Sequence, residues 1–227
     1  VRQAFETNKG VLESLANIFQ LDYYLISDQI EPTSSLSWGG RYSPKKTNLP
    51  KIGDILLSEP LLNDPYFGRK AVLLCEYNED GAFGLVLNNF VTVNIEDIQL
   101  DIKNTNPRFS VGGPVNSSNL YFIHSCGEIE NSHEIVDGIF LGGDFTKLKS
   151  MIEDGYNSFR FFLGYSGWSE DQLSEEIKSR SWFVTRAGAD EIMSTDLENE
   201  EFWKKLINGM GPGFSHIAEA PLDPSLN

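Results

Sequence analysis

A chain of 227 residues with 40% hydrophobic and 12% aromatic residues has enough apolar surface for one substantial core and is small for two. Its 18 basic against 33 acidic residues leave a net charge of -15, which repels nucleic-acid phosphates and anionic membrane surfaces wherever no local basic patch overrides it. The pairs Lys45-Lys46, Arg69-Lys70 and Lys204-Lys205 are isolated, so direct nucleic-acid binding is not expected and the acidic excess reads first as a solvated surface.

The first residues, "VRQAFETNKG", contain no basic segment followed by an apolar stretch, and no run of about 18 apolar residues occurs; the expectation is a cytoplasmic protein without membrane association. Val11, Leu12, Leu15, Ile18 and Phe19 recur at helical spacing and predict a short amphipathic helix. The Pro-, Ser- and Gly-rich stretch "EPTSSLSWGGRYSPKKTNLP" follows and reads as a linker. Residues 1–50 are therefore taken as an extension and linker, 51–216 as the compact domain, and 217–227 as a tail.

From Lys51 the pattern is strand-rich. "GDILLSEP", "KAVLLCEY" and "AFGLVLNN" are apolar runs, the last two separated by the turn "NEDG", which predicts an antiparallel hairpin. Further strands are expected at "RFSVGG", "LYFIHSC", "EIVDGIFLG", "SFRFFLGY" and "SWFVTR". Helices are expected at "DFTKLKSMIEDG", with Asp144 as N-cap and Gly155 as stop, at "SEDQLSEEIKSR" and at "LENEEFWKKLING". Strands and helices that do not alternate regularly argue for an α+β fold with a mainly antiparallel sheet, closed into a barrel-like core.

Ser166 lies in "GYSGW", a partial match to the G-x-S-x-G nucleophile elbow. Trp168 stands where that motif needs a small residue. His124 and Cys126 sit two apart on one face of a strand, at most half of a zinc site, and no partner pair completes it; a core histidine bonded to backbone is the favoured reading. Cys75 and Cys126, the only cysteines, read as buried thiols rather than a disulfide framework. In "VGGPV", Gly112 and Gly113 suit a tight turn or, less readily, an anion nest. Ser169 and Gln172 form an S-x-x-Q capping box, Leu173 and Ile177 the buried helix face, and Glu176 and Arg180 an i, i+4 pair. No cofactor or metal site is expected, and no catalytic residue stands out beyond the candidates His124 and Ser166.

Taken in order, "GDILLSEPLLNDPYFGRKAVLLCEYNEDGAFGLVLNN", "GGPV", "LYFIH" and "FFLGYSGWSEDQLSEEI" resemble the YqgE/AlgH family of bacterial proteins, and "PLDPSLN" looks like the tail of Bacteroidota-type members. The resemblance implies an α+β fold with a branched, barrel-like sheet and no established enzymatic activity. Members are often described as transcriptional regulators; with an acidic chain and no helix-turn-helix signature, any such role is expected to be indirect. Two departures stand out: "NNF" at 88–90 replaces the usual Asn-Arg/Lys-Pro, and Ser166 stands where Ala is common. The first reading is thus a non-enzymatic regulatory or interaction domain with an unknown protein or small-molecule partner. The second is a small-molecule hydrolase or anion-binding enzyme using His124 and Ser166. Asn88, Gly112, Gly113, Trp168, Gln172 and Glu176 are the candidate ligand contacts.

Overall fold

The structure, a computed structural model, describes residues 49–62, 64–93, 100, 102–103, 105, 107–196 and 199–221. The expected helix at 11–19 and the end of the tail lie outside these residues. The strands are β1 (Ile55–Ser58), β2 (Ala71–Asn78), β3 (Gly81–Val86), β4 (Phe90–Val91), β5 (Phe109–Val111), β6 (Val115–His124), β7 (His133–Val136), β8 (Ile139–Leu141), β9 (Phe159–Trp168) and β10 (Trp182–Thr185). The helices are α1 (Phe145–Glu153), α2 (Gln172–Lys178), α3 (Ala189–Met193), α4 (Asn199–Gly209) and α5 (Ser215–Ala218).

The ten strands form one mixed but dominantly antiparallel sheet in the order β10-β1-β2-β3-β9-β6-β8-β7, with β5 branching from β9 and β4 pairing β5. The α+β class and the branching agree with expectation; the barrel does not. β10 and β7 stand at the two ends of the strand order, and the branch at β9 splits the sheet instead of closing it. β9 meets β3 through Ala82↔Trp168 to Gly84↔Ser166. It meets β6 through Leu120↔Leu163 to His124↔Phe159, and parallel β5 through Phe109↔Phe161 to Val111↔Leu163.

The unbroken apolar runs have a plain cause: both faces of the sheet are covered. Along β2, Ala71, Leu73 and Cys75 enter one cluster with Trp203, Leu206 and Ile207 of α4, whereas Val72 and Leu74 enter another with Leu173 and Ile177 of α2. A third cluster beneath the β5–β6–β9 branch takes Phe109, Phe122 and Phe161 with Leu148 and Ile152 of α1. α1 begins as expected, with Asp144 accepting from the Thr146 and Lys147 amides. "EIVDGIFLG" is two strands, β7 and β8, around Asp137-Gly138, because Asp-Gly is itself a hairpin turn signal. The short β4 and α3 and the helical turns after 211 were not expected. Among the described residues no helix is long and apolar enough to cross a membrane.

Candidate functional site

The segment joining β9 to α2 concentrates the candidate residues. In the middle of β9, Gly164 has φ +68, and a Cβ there would lie 2.6 Å from the Gly113 carbonyl oxygen. Facing it, a Cβ on Gly112 would lie 2.3 Å from the Gly164 oxygen. Glycine at both places lets the β5–β6 connection lie directly on β9. The "GG" turn is thereby engaged: the Gly112 amide donates to the Leu163 carbonyl (2.8 Å), and its carbonyl accepts from Val86 N (2.9 Å). The fully buried Ser166 hydroxyl donates to that same Gly112 carbonyl at 3.0 Å.

Trp168 ends β9, and its indole N–H donates to Glu176 Oε2 at 2.8 Å. Trp182, at the start of β10, donates to the same oxygen at 2.7 Å. Gln172 Nε2 donates to the other oxygen, Oε1, at 2.9 Å. The indoles meet edge to face at 5.9 Å, with Phe67 5.6 Å from Trp182. A half-buried carboxylate therefore ties together the end of one strand, the next helix and the start of the following strand. Hydrogen bonds to a charged acceptor are the stronger kind.

Two local expectations are corrected. α2 is N-capped by Asp171, in left-handed conformation at φ +58 and without a side-chain cap bond. Half of the capping box survives, since Gln172 Oε1 accepts the Ser169 amide at 3.0 Å, but the Ser169 hydroxyl also donates to Oε1 (3.2 Å) instead of capping a backbone amide. The left-handed Asp171 delays entry into the helix and turns Ser169 away. Nor do Glu176 and Arg180 pair along the helix: Glu176 faces the indoles, and Arg180 lies beyond the end of α2 with φ +67. Leu173 and Ile177 are buried as expected. A hollow of about 200 Å³, lined by Tyr77, Glu79, Ser169, Glu170, Asp171 and Leu173 among others, lies between the β2–β3 turn and the start of α2.

His124 is fully buried at the far end of β6. Its Nε2 lies 2.9 Å from the Gly142 carbonyl, and Nδ1 accepts the Cys126 amide at 3.3 Å, an arrangement that assigns the Nε2–H tautomer. Burial lowers its pKa below the ordinary histidine value, and Phe140 stacks on the ring at 5.8 Å. Cys126 is half-buried and Cys75 fully buried, its thiol pushed strongly up by burial. His124 pairs with Phe159 and Ser166 with Gly84, so the two sit near opposite ends of β9, about 20 Å apart along the strand. Among the described residues no group of three or more His, Cys, Asp or Glu side chains is placed to hold a metal ion.

Asn88 belongs to a separate cluster. Fully buried, it accepts the Ala71 amide at 2.8 Å and donates to the Arg69 carbonyl at 3.0 Å and to the Asn199 carbonyl. Arg69 pairs with Glu200, donates to the Ala220 carbonyl and lies 5.5 Å over the Trp203 ring. Arg69, noted in the sequence only as part of an isolated basic pair, is thus 4% exposed. Arg160 was missed altogether: buried, it donates to the carbonyls of Ile192 and Leu87 and to Ser110 Oγ, and lies over the Phe90 and Phe162 rings. A cation inside the aromatic run "FRFF" was the signal. The candidates therefore fall into a Gly112–Ser166 contact, a Trp168–Gln172–Glu176 cluster, and two places apart from both.

Comparison with known proteins agrees with this architecture. A family model described as AlgH-like matches residues 55–215. A UPF0301 protein of Cytophaga hutchinsonii is 37% identical over 180 residues, covering 77% of this chain and 98% of its own. One from Parabacteroides distasonis is 39% identical, covering 79% and 92%. The solution structure of AlgH from Pseudomonas aeruginosa, 24% identical, superimposes with TM-score 0.58 over 78% of this chain and 98% of its own. A crystal structure from Corynebacterium diphtheriae, 18% identical, gives 0.65 over 77% and 94%. The chain belongs to the AlgH-like, UPF0301 family.

Proposed function

We propose that this protein is a non-enzymatic interaction domain, acting in the cytoplasm on a protein or small-molecule partner, with any effect on transcription indirect. The observation that carries this reading is the engagement of the two side chains a hydrolase would use. The Ser166 proton goes to the Gly112 carbonyl, and both His124 nitrogens are bonded to backbone near the other end of β9. A nucleophile needs a base within hydrogen-bond reach and access to substrate; both side chains are fully buried. The aromatic and amide residues of the β9–α2 segment serve each other through Glu176, a duty that needs no ligand.

The test is complementation of a deletion strain with Ser166→Ala and His124→Gln, each alongside a melting curve. The expected outcome is wild-type phenotype from Ser166→Ala. A stable Ser166→Ala protein that fails to complement would overturn the reading in favour of hydrolysis.

A further inference from the structure

On the sheet face that carries the α4 cluster, three aromatic side chains stay half-buried: Phe83 of β3, Tyr121 of β6 and Tyr165 of β9. They touch one another, with Phe83 4.9 Å from Tyr165 and 5.4 Å from Tyr121, and the two tyrosines 5.6 Å apart. Since each ring is already in contact with both others, no void between them waits for a ligand. What remains accessible is their outer surface. Its border is polar and acidic: Glu76, exposed, pairs across β2–β3 with Phe83, and the Tyr121 hydroxyl is hydrogen-bonded by the amides of Asn116 and Asn119 and lies in the field of Glu76.

We propose that the Phe83–Tyr121–Tyr165 face, bordered by Glu76, is a docking surface for an arginine-bearing basic segment of a partner protein. This deepens, and rests on, the interaction-domain reading. Charge selects the occupant: an aromatic surface edged by carboxylate, on a chain of net charge -15, repels acidic and nucleic-acid partners and attracts cations. Shape selects arginine. A planar guanidinium stacks on an aromatic face while keeping donors for a carboxylate in its plane, which an ammonium on a flexible stem does less well. The amides of Asn116 and Asn119 offer hydrogen bonds to the backbone of an extended segment.

The full chain is titrated with a capped Gly-Arg-Gly-Arg-Gly peptide and followed by NMR, with the Gly-Gln and Gly-Glu counterparts as controls. Saturable shifts of the Phe83, Tyr121 and Tyr165 rings with the Arg peptide are expected, and none with the controls. Glu76→Lys, an exposed change, should abolish them, and Glu76→Gln should weaken binding about threefold, in keeping with one partly screened charge pair. Equal response to the Gln peptide, shifts spread over the acidic surface, or unchanged binding by Glu76→Lys would each overturn the assignment. Concentration-dependent broadening of these rings without peptide would overturn it too, by making the face a contact between copies of the chain. If Ser166→Ala complements while Glu76→Lys still binds, only this surface is wrong; if a stable Ser166→Ala fails to complement, the interaction-domain reading itself falls.

Discussion

Replacing Glu176 by alanine should be among the most damaging single changes at a half-buried position. It strips the acceptor from two indole N–H groups whose residues, Trp168 and Trp182, are 7% and 5% exposed. A buried donor left unpaired costs about 1–3 kcal/mol. Because Glu176 itself is half-buried, water reaches part of the vacated space, which places each donor toward the lower end and the pair at about 2–4 kcal/mol. For a chain of this size that is a fall in melting temperature of roughly 4–16 °C. Glu176→Gln keeps an amide oxygen for the indoles and should lose only the charge-assisted part, about 1 kcal/mol. Ser169→Ala, whose hydroxyl caps no backbone amide, should cost less than about 0.5 kcal/mol. Tryptophan-fluorescence melts and denaturant titrations of the three variants, with m-values held against wild type, measure the series. If Glu176→Ala melted within about 2 °C of wild type, or if Gln proved as harmful as Ala, the carboxylate would not be what joins β9, α2 and β10.

Other predictions concern the separate clusters. Burial lowers the His124 pKa, so between that value and about 6.5 the unfolded chain binds more protons than the folded one, and stability falls as pH drops through this window; His124→Gln should flatten the slope below about pH 6.5, and parallel slopes would refute the buried neutral ring. With Cys75 buried and its thiol pushed up, a thiol reagent should modify native protein at Cys126 and reach Cys75 only on unfolding; equal rates for both would contradict the packing of β2. Glu200→Ala leaves the Arg69 guanidinium buried beside Trp203 without its carboxylate and should cost about 1–3 kcal/mol, reduced from the fully buried case because Glu200 is one-third exposed. A denaturant midpoint equal to wild type would show that the pair does not fasten α4.

What could be read in advance followed from local periodicity, and what could not depended on distant partners. The runs "AVLLC" and "FRFFL" announced strands, and Asp144 announced its helix, because each signal lies within a few residues of its effect. The barrel failed because closure depends on whether β10 and β7 meet, and no local pattern encodes that. The capping box failed at Asp171, where one left-handed residue shifts the start of α2 although Ser169 and Gln172 have the right spacing. Glu176 was named as a candidate ligand contact, yet its role follows from Trp182, six residues on and in the next strand. Arg69 was noted only as part of an isolated basic pair, and Arg160 drew no reading at all. Only the fold reveals that carbonyls, aromatic rings and, for Arg69, Glu200 receive them.

The convergence of three strands on β9 has a kinetic side. β3, β5 and β6 all come from earlier in the chain and must be brought back to a strand synthesised after them, so many native pairings close long loops, and such topologies fold slowly. The amides from Phe161 to Leu163, flanked by β6 on one side and β5 on the other, have no exposed edge from which to fray. Their deuterium exchange should require whole-molecule opening, whereas β4 and β7, at the margins, should exchange through local fluctuations. In the cell, the chain would stay exposed to proteases until residues 159–168 emerge from the ribosome, since before then no strand exists on which the two arms of the sheet can join.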